Sequence, residues 1–240
     1  MKKPTSTAPG EASGLAIPTL MPVGRRLFMR YAGFTALSAT AVMEACTMSD
    51  HNVPGGMVVD LGSGDFGVLN YAYALEQLEA AFYTMVIDMP YANMTPEERR
   101  ILTEVRDHEI AHREFFKAAL GSNAIRMLEV NFSAINFSSR DSVLQTARVF
   151  EDLGVSAYNG AGRLLTNPAF LTIAGKIVSV EARHAAVIRD LLQPKTTYFA
   201  GDDVVDPATG LDVVRSPMQV LPLAQPFIKN TISGNNLPTM

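Results

Sequence analysis

Four segments between Gly67 and Leu192 repeat their apolar residues every three or four positions, and each carries a glutamate on that apolar stripe. The stripes read Leu69, Tyr73, Glu76, Ala80, Tyr83 and Ile87, then Leu102, Val105, Glu109, His112 and Phe116. The other two read Leu144, Ala147, Glu151, Gly154, Tyr158 and Ala161, then Ile173, Ile177, Glu181, His184, Ile188 and Leu191. The spacing predicts four amphipathic helices, and an inward carboxylate without a partner costs roughly several kcal/mol. Four such groups meeting in one core must be offset by cations, protons or strong hydrogen bonds. That requirement constrains the fold more than any other feature.

The helix limits are marked locally. The first segment runs from about Phe66 to Asp88 and stops before Pro90. The second opens at Thr95-Pro96-Glu97-Glu98, which supplies an N-cap, a proline in the first turn and acidic residues suited to the helix dipole; Gly121 marks its end. The third spans about Asp141 to Leu165, and Asn167-Pro168 closes it and opens the fourth, which ends before Pro194. Short links make hairpins of helices one and two and of helices three and four. Residues 121–140 are long enough to cross from one end of a bundle to the other, so an all-α four-helix bundle with one long crossover is expected.

The polar pattern on the stripes is itself repeated. Glu76 and Tyr83 precede Glu109-x-x-His112, and Glu151 and Tyr158 precede Glu181-x-x-His184. Glu and His three residues apart share one side of a helix and can reach the same ion. Two divalent metals would neutralise the four glutamates, with two histidines completing the ligand set.

These stretches, Leu75 to Tyr83, His108 to His112, Tyr158 to Ala161 and Val180 to His184, resemble the ferritin-like di-metal carboxylate superfamily across about residues 64–193. Within it the chain is most similar to the ferritin-like-domain group that includes desiccation-related proteins. The resemblance implies a centre of two iron or two manganese ions, with Glu109 and Glu181 bridging, Glu76 and Glu151 terminal, and His112 and His184 each on one metal. It also implies that Tyr83 and Tyr158 either hydrogen-bond the ligands or take part in redox steps. Oxidation of Fe(II) or removal of peroxide in stress protection would follow, with dioxygen or peroxide as partner. A metal-binding protein without turnover is the alternative, and a homo-oligomer is left open.

Other residues carry weaker signals. Glu79 lies close to Glu76 around the helix and is either an additional acidic ligand or a surface charge. Glu97, Glu98, Glu104 and Glu114 read as solvated helix charges, and Tyr73 and Phe116 as core. Gly154 and Ala80 either open space beside the glutamates or permit close helix packing. His108-Glu109-Ile110-Ala111-His112 also spells a zinc-protease motif, in which Glu109 would be a general base and Glu129 a third ligand. That reading ignores the second half of the repeat.

Composition narrows the partners. At 240 residues, 48% hydrophobic and with a net charge of −4, the chain is neither disordered nor equipped with the basic surface that nucleic acid requires. One cysteine excludes an internal disulfide framework. Residues 1–46 read as an export signal: Arg25-Arg26 precede a modestly apolar run from Tyr31 to Ala45, too short to span a bilayer, which ends at Cys46. The pattern resembles a twin-arginine signal followed by a lipoprotein cleavage box, implying export to the periplasm or cell envelope, with lipid attachment at Cys46 or ordinary signal cleavage nearby. Residues 47–63 read as a linker and 194–240 as an irregular tail over the bundle, in which 213–215 and 219–221 could be extended. This N-terminus and tail are unlike a cage-forming ferritin subunit, which argues against mineral storage in a closed shell.

Overall fold

A computed structural model describes residues 58–239; the export segment, Cys46 and most of the expected linker lie outside the described residues. The element order is β1 (Val59–Asp60), α1 (Gly64–Asp88), α2 (Pro96–Leu120), α3 (Arg140–Ala161), α4 (Pro168–Leu192), α5 (Pro217–Ala224) and β2 (Ile232–Ser233). The first four helices form the expected bundle. Short links fold α1 against α2 and α3 against α4, and the crossover joins the two hairpins.

The predicted caps operate. Thr95 Oγ1 accepts from the Glu98 amide at 3.1 Å while the Glu98 carboxylate accepts from the Thr95 amide at 2.9 Å, so two of the orphan donors at the start of α2 are satisfied reciprocally. Asn167 caps α4 through the Ala169 amide at 2.9 Å, with Pro168 in the first turn. Helix α3 ends at Ala161, and the remaining residues to Leu164 tighten into a 3-10 turn. Glu98 is a correction to the sequence reading: it is buried, and its second oxygen accepts from Arg140 Nε at 2.6 Å, which fastens the start of α2 to that of α3.

Helix α1 is the most enclosed element, buried at every position from Gly67 to Ala80. A helix covered on all sides needs partners for any polar residue it carries. The crossover supplies them. Asn70 donates to the carbonyls of Leu61 and Asn123 and accepts from the Ile125 amide at 2.9 Å, and Gln77 accepts from the Leu128 amide at 2.7 Å. The crossover therefore runs along α1, seated by side chains on its outer face.

The segment after α4 is more ordered than the sequence suggests. Ser216-Pro217-x-Gln219 forms a capping box that starts α5, so residues 219–221 are helical and not extended. With only eight residues and Pro222 inside it, α5 shows too little period to be read from sequence. Residues 213–215 lie against α3: the Arg215 amide donates to the Ser156 carbonyl at 3.0 Å, and a Cβ on Gly160 would sit 1.8 Å from the Arg215 carbonyl oxygen. Only glycine permits that approach. Residues 58–63, expected as linker, carry β1, which pairs in parallel with β2 as Val59 opposite Ile232.

Candidate metal centre

Each long helix brings its stripe glutamate to the middle of the bundle. Glu76 comes from α1, Glu109 and His112 from α2, Glu151 from α3, and Glu181 and His184 from α4. All four glutamates are fully buried, and the two imidazoles lie among them. His112 Nδ1 stands 2.9 Å from Glu181 Oε1, 3.4 Å from Glu76 Oε2 and 3.6 Å from Glu109 Oε2. His184 Nδ1 stands 2.7 Å from Glu109 Oε1, 3.5 Å from Glu151 Oε2 and 3.7 Å from Glu181 Oε2.

The residues sort into two groups, Glu76, Glu109, His112 and Glu181, and Glu109, Glu151, Glu181 and His184. Within each, one ligand atom per residue lies within 4.8 Å of all the others. Ligands placed about 2.0–2.2 Å from one ion are up to about 4.4 Å apart, so each group is near the size needed to close on a cation. Glu109 and Glu181 belong to both groups, one oxygen toward each histidine, whereas Glu76 and Glu151 each belong to one.

The hydrogen bonding separates engaged atoms from vacant ones. Tyr158 Oη donates to Glu76 Oε1, and Tyr83 Oη donates to Glu151 Oε1 at 2.5 Å. The other oxygen of each, both oxygens of Glu109 and Glu181, and Nδ1 of His112 and His184 are buried and unpaired with anything outside the cluster, where imidazole and carboxylate face only one another. Buried polar atoms are nearly always paired. Here eight unpaired atoms, six oxygens and two nitrogens, are the ones the two groups would offer to cations. The donor set suits divalent manganese or iron, and the chemistry of the residues fits the implied group.

Without a cation the charges distort one another. Burial and the neighbouring Glu181 push the Glu109 carboxyl well above the usual range. Burial opposes charge on the imidazoles, but the carboxylates of Glu109, Glu181 and Glu76 outweigh it and push His112 up to about 12. His184 is raised likewise by Glu151, Glu109 and Glu181 against the same burial. Glu181 goes the other way: burial raises it, yet His112 and His184 together hold it down at about 2. The carboxylates thus favour positive charge on the imidazoles, the sign of charge a cation would supply.

Three neighbouring residues complete the picture. Glu79 belongs to neither group but is buried beside them, and burial with the charges of Glu109, Glu181, Glu151 and Glu76 drives its pKa well up. A surface charge is therefore the wrong reading of Glu79. Its Oε1 lies 3.1 Å from where a Cβ on Gly154 would stand, so that glycine opens space beside the glutamates. His108 also stays outside both groups; its Nδ1 lies 3.0 Å from His184 Nε2. Glu129, the third ligand of the protease reading, is exposed and faces Lys229 at 3.9 Å. Tyr73 and Phe116 are core, as read. The link between His108 and His184 had no local signal, because the two are 76 positions apart.

Among the described residues no helix is long and apolar enough to cross a membrane. A search of curated proteins finds no match to the chain. A family model described as the ferritin-like domain matches residues 64–194, more than half of the sequence. That stretch contains the four long helices and all of the clustered glutamates and histidines, and the chain accordingly belongs to the ferritin-like domain family.

Proposed function

We propose that this is an exported ferritin-like protein that holds two iron or manganese ions between its four long helices and uses them for redox work, either oxidation of Fe(II) or removal of peroxide. The observation that carries the reading is the set of eight buried, unpaired ligand atoms in two groups that share Glu109 and Glu181. When bound, a pair of such ions supplies Lewis acidity and one-electron redox chemistry at neighbouring positions.

The protein's own part follows from its hydrogen bonds. Tyr83 and Tyr158 each occupy one oxygen of a terminal glutamate and leave the other aimed at the centre. Burial and the adjacent carboxylates hold both phenols well above their ordinary range, so they remain neutral donors and fix carboxylate orientation. Glu109 and Glu181 would bridge, and His112 and His184 would each serve one ion. Burial and the neighbouring carboxylates push the Glu79 carboxyl well above its ordinary range, and it stands at the edge of the site. Of the two imidazoles, that of His112 is the more exposed to solvent.

Export is inferred from Arg25-Arg26 and the apolar run that ends at Cys46; it would put the protein in the periplasm or cell envelope, with either lipid at Cys46 or ordinary signal cleavage nearby. The alternative is the same centre without turnover, used for metal binding or stress protection.

The test uses the full chain expressed with its signal. Metal content by mass spectrometry should show two iron or manganese ions per chain, both lost in Glu181→Ala, which removes a residue of both groups, and one lost in His184→Ala. Dioxygen evolution from peroxide, and Fe(II) oxidation in air, should then be present in the wild type and absent in both variants. Bound metal with neither activity selects the alternative. A folded chain that takes up no metal, or variants that keep both ions, overturns the shared centre.

A further inference from the structure

The two halves of the repeat differ at the position just before each paired glutamate, and the difference bears on the histidines. His184 has both nitrogens engaged: Nδ1 faces the carboxylates, and Nε2 lies 3.0 Å from His108 Nδ1, with the ring planes within 11° of parallel. With Nδ1 of His184 committed to an ion, the single proton of the ring sits on Nε2, which would donate to His108 Nδ1. His108 then carries its own proton on Nε2. His112 is not held in this way. Its Nδ1 faces the carboxylates, but its Nε2 makes no hydrogen bond among the described residues, and its side chain is 13% exposed against 5% for His184. The residue that occupies the place of His108 in the second half, immediately before Glu181, is Val180, which has no polar side-chain atom to offer.

We infer that the two metal positions are unequal, that the group with His184 fills first and holds its ion more tightly, and that His108 sets this order as a positioning residue. A partner on the far nitrogen of a ligating histidine fixes its tautomer and ring orientation and raises its basicity, and loss of such a partner costs about 10–100-fold in metal affinity. The His184 ring is pre-oriented by His108. The His112 ring must be ordered when its ion arrives, and its solvent edge makes that ion the exchangeable one. The inference rests on the two-ion reading proposed above.

Two binding steps alone do not test this, because ions that share Glu109 and Glu181 bind unequally even in a symmetric centre. The test asks which position takes the first ion. The full chain, stripped with chelator, is titrated with Mn(II) alone by calorimetry and by the paramagnetic resonance of bound Mn(II), for the wild type and for His112→Ala, His184→Ala, His108→Val and His108→Gln. The expected result is that His112→Ala keeps the first step and His184→Ala loses it. His108→Val should weaken the first step about 10–100-fold and leave the second unchanged, with His108→Gln falling less because its amide oxygen accepts the same N–H. Equal losses in His112→Ala and His184→Ala, or a first step unmoved by His108→Val in a folded protein, overturn the inference and leave the two-ion centre standing. A wild type that binds no Mn(II) overturns both.

Discussion

Two polar clusters lie in this bundle, and they solve the problem of buried charge in opposite ways. Arg189, on α4 and only 1% exposed, has an acceptor for every guanidinium donor: Nε and Nη2 to the two oxygens of Asp152, Nη2 and Nη1 to those of Asp203, and Nη1 to the Tyr198 carbonyl. The Tyr198 ring lies 4.8 Å from the guanidinium carbon and completes the shell. This cluster is closed; it ties the segment after α4 to α3 and α4 and asks for nothing more. The glutamate and histidine centre, five residues away along the same helix, leaves eight ligand atoms unpaired. A polar cluster that closes on itself serves the fold, whereas one whose vacancies converge is built to receive a ligand.

The largest effect that would break this contrast comes from opposite substitutions in the two clusters. Glu109→Gln should abolish metal loading at both positions, since Glu109 belongs to both groups, yet leave the metal-free fold no less stable because it removes a mutually repelling carboxylate. Arg189→Met should do the reverse, destabilising the protein by about 3 kcal/mol as the largely buried Asp152 is left with Arg148 alone and the segment that carries Asp203 loses its tie, with metal content unchanged. Metal analysis and urea unfolding of both variants decide the matter.

Next in size is the dependence on pH. In the metal-free protein His112 is pushed up to about 12, so its contribution to stability is complete below its unfolded pKa near 6.5 and fades as pH rises toward 12. Glu181, held at about 2, contributes fully above its ordinary 4.5 and loses that contribution as pH falls through 2. Cations must displace the imidazole protons, so metal affinity should rise about tenfold per pH unit for each proton released, opposite in sign to the His112 contribution in the metal-free protein. Calorimetry in buffers of different ionisation enthalpy counts those protons; a release of none would place the metal elsewhere.

The smallest expected effects sharpen the comparison inside the centre. Tyr83→Phe removes the donor to Glu151 and should weaken the position with His184, and Tyr158→Phe, acting through Glu76, the position with His112, each by about tenfold. Titration with Mn(II) reads each change separately, and a loss spread equally over both positions in either variant would mean that the tyrosines do not act through their own glutamates.

Much of this was legible in the chain. Thr95-Pro96, Asn167-Pro168 and Gly121 marked helix ends because capping and proline chemistry act within one turn, and the structure begins and ends α2 and α4 within a residue or so of those marks. Stripe position then brought Glu76, Glu109, His112, Glu151, Glu181 and His184 to one place, since a helical period together with burial leaves such residues one direction in which to point. The helix α5 escaped because eight residues with an internal proline give no usable period. Glu98 was misread as a solvated charge because its burial depends on Arg140, 42 positions away.

The division has a physical cause. Helix existence, helix ends and the side each residue faces are set by interactions across one or two turns, so the bundle and its cluster of four glutamates and two histidines follow from the order of amino acids. Which polar atom meets which is set by packing between segments far apart in the chain. Only the tertiary structure could decide that the tyrosines take the terminal glutamates, that Glu79 lies inside beside Gly154, that Arg189 fastens the last segment, and that His108 serves His184 while His112 is left open to solvent.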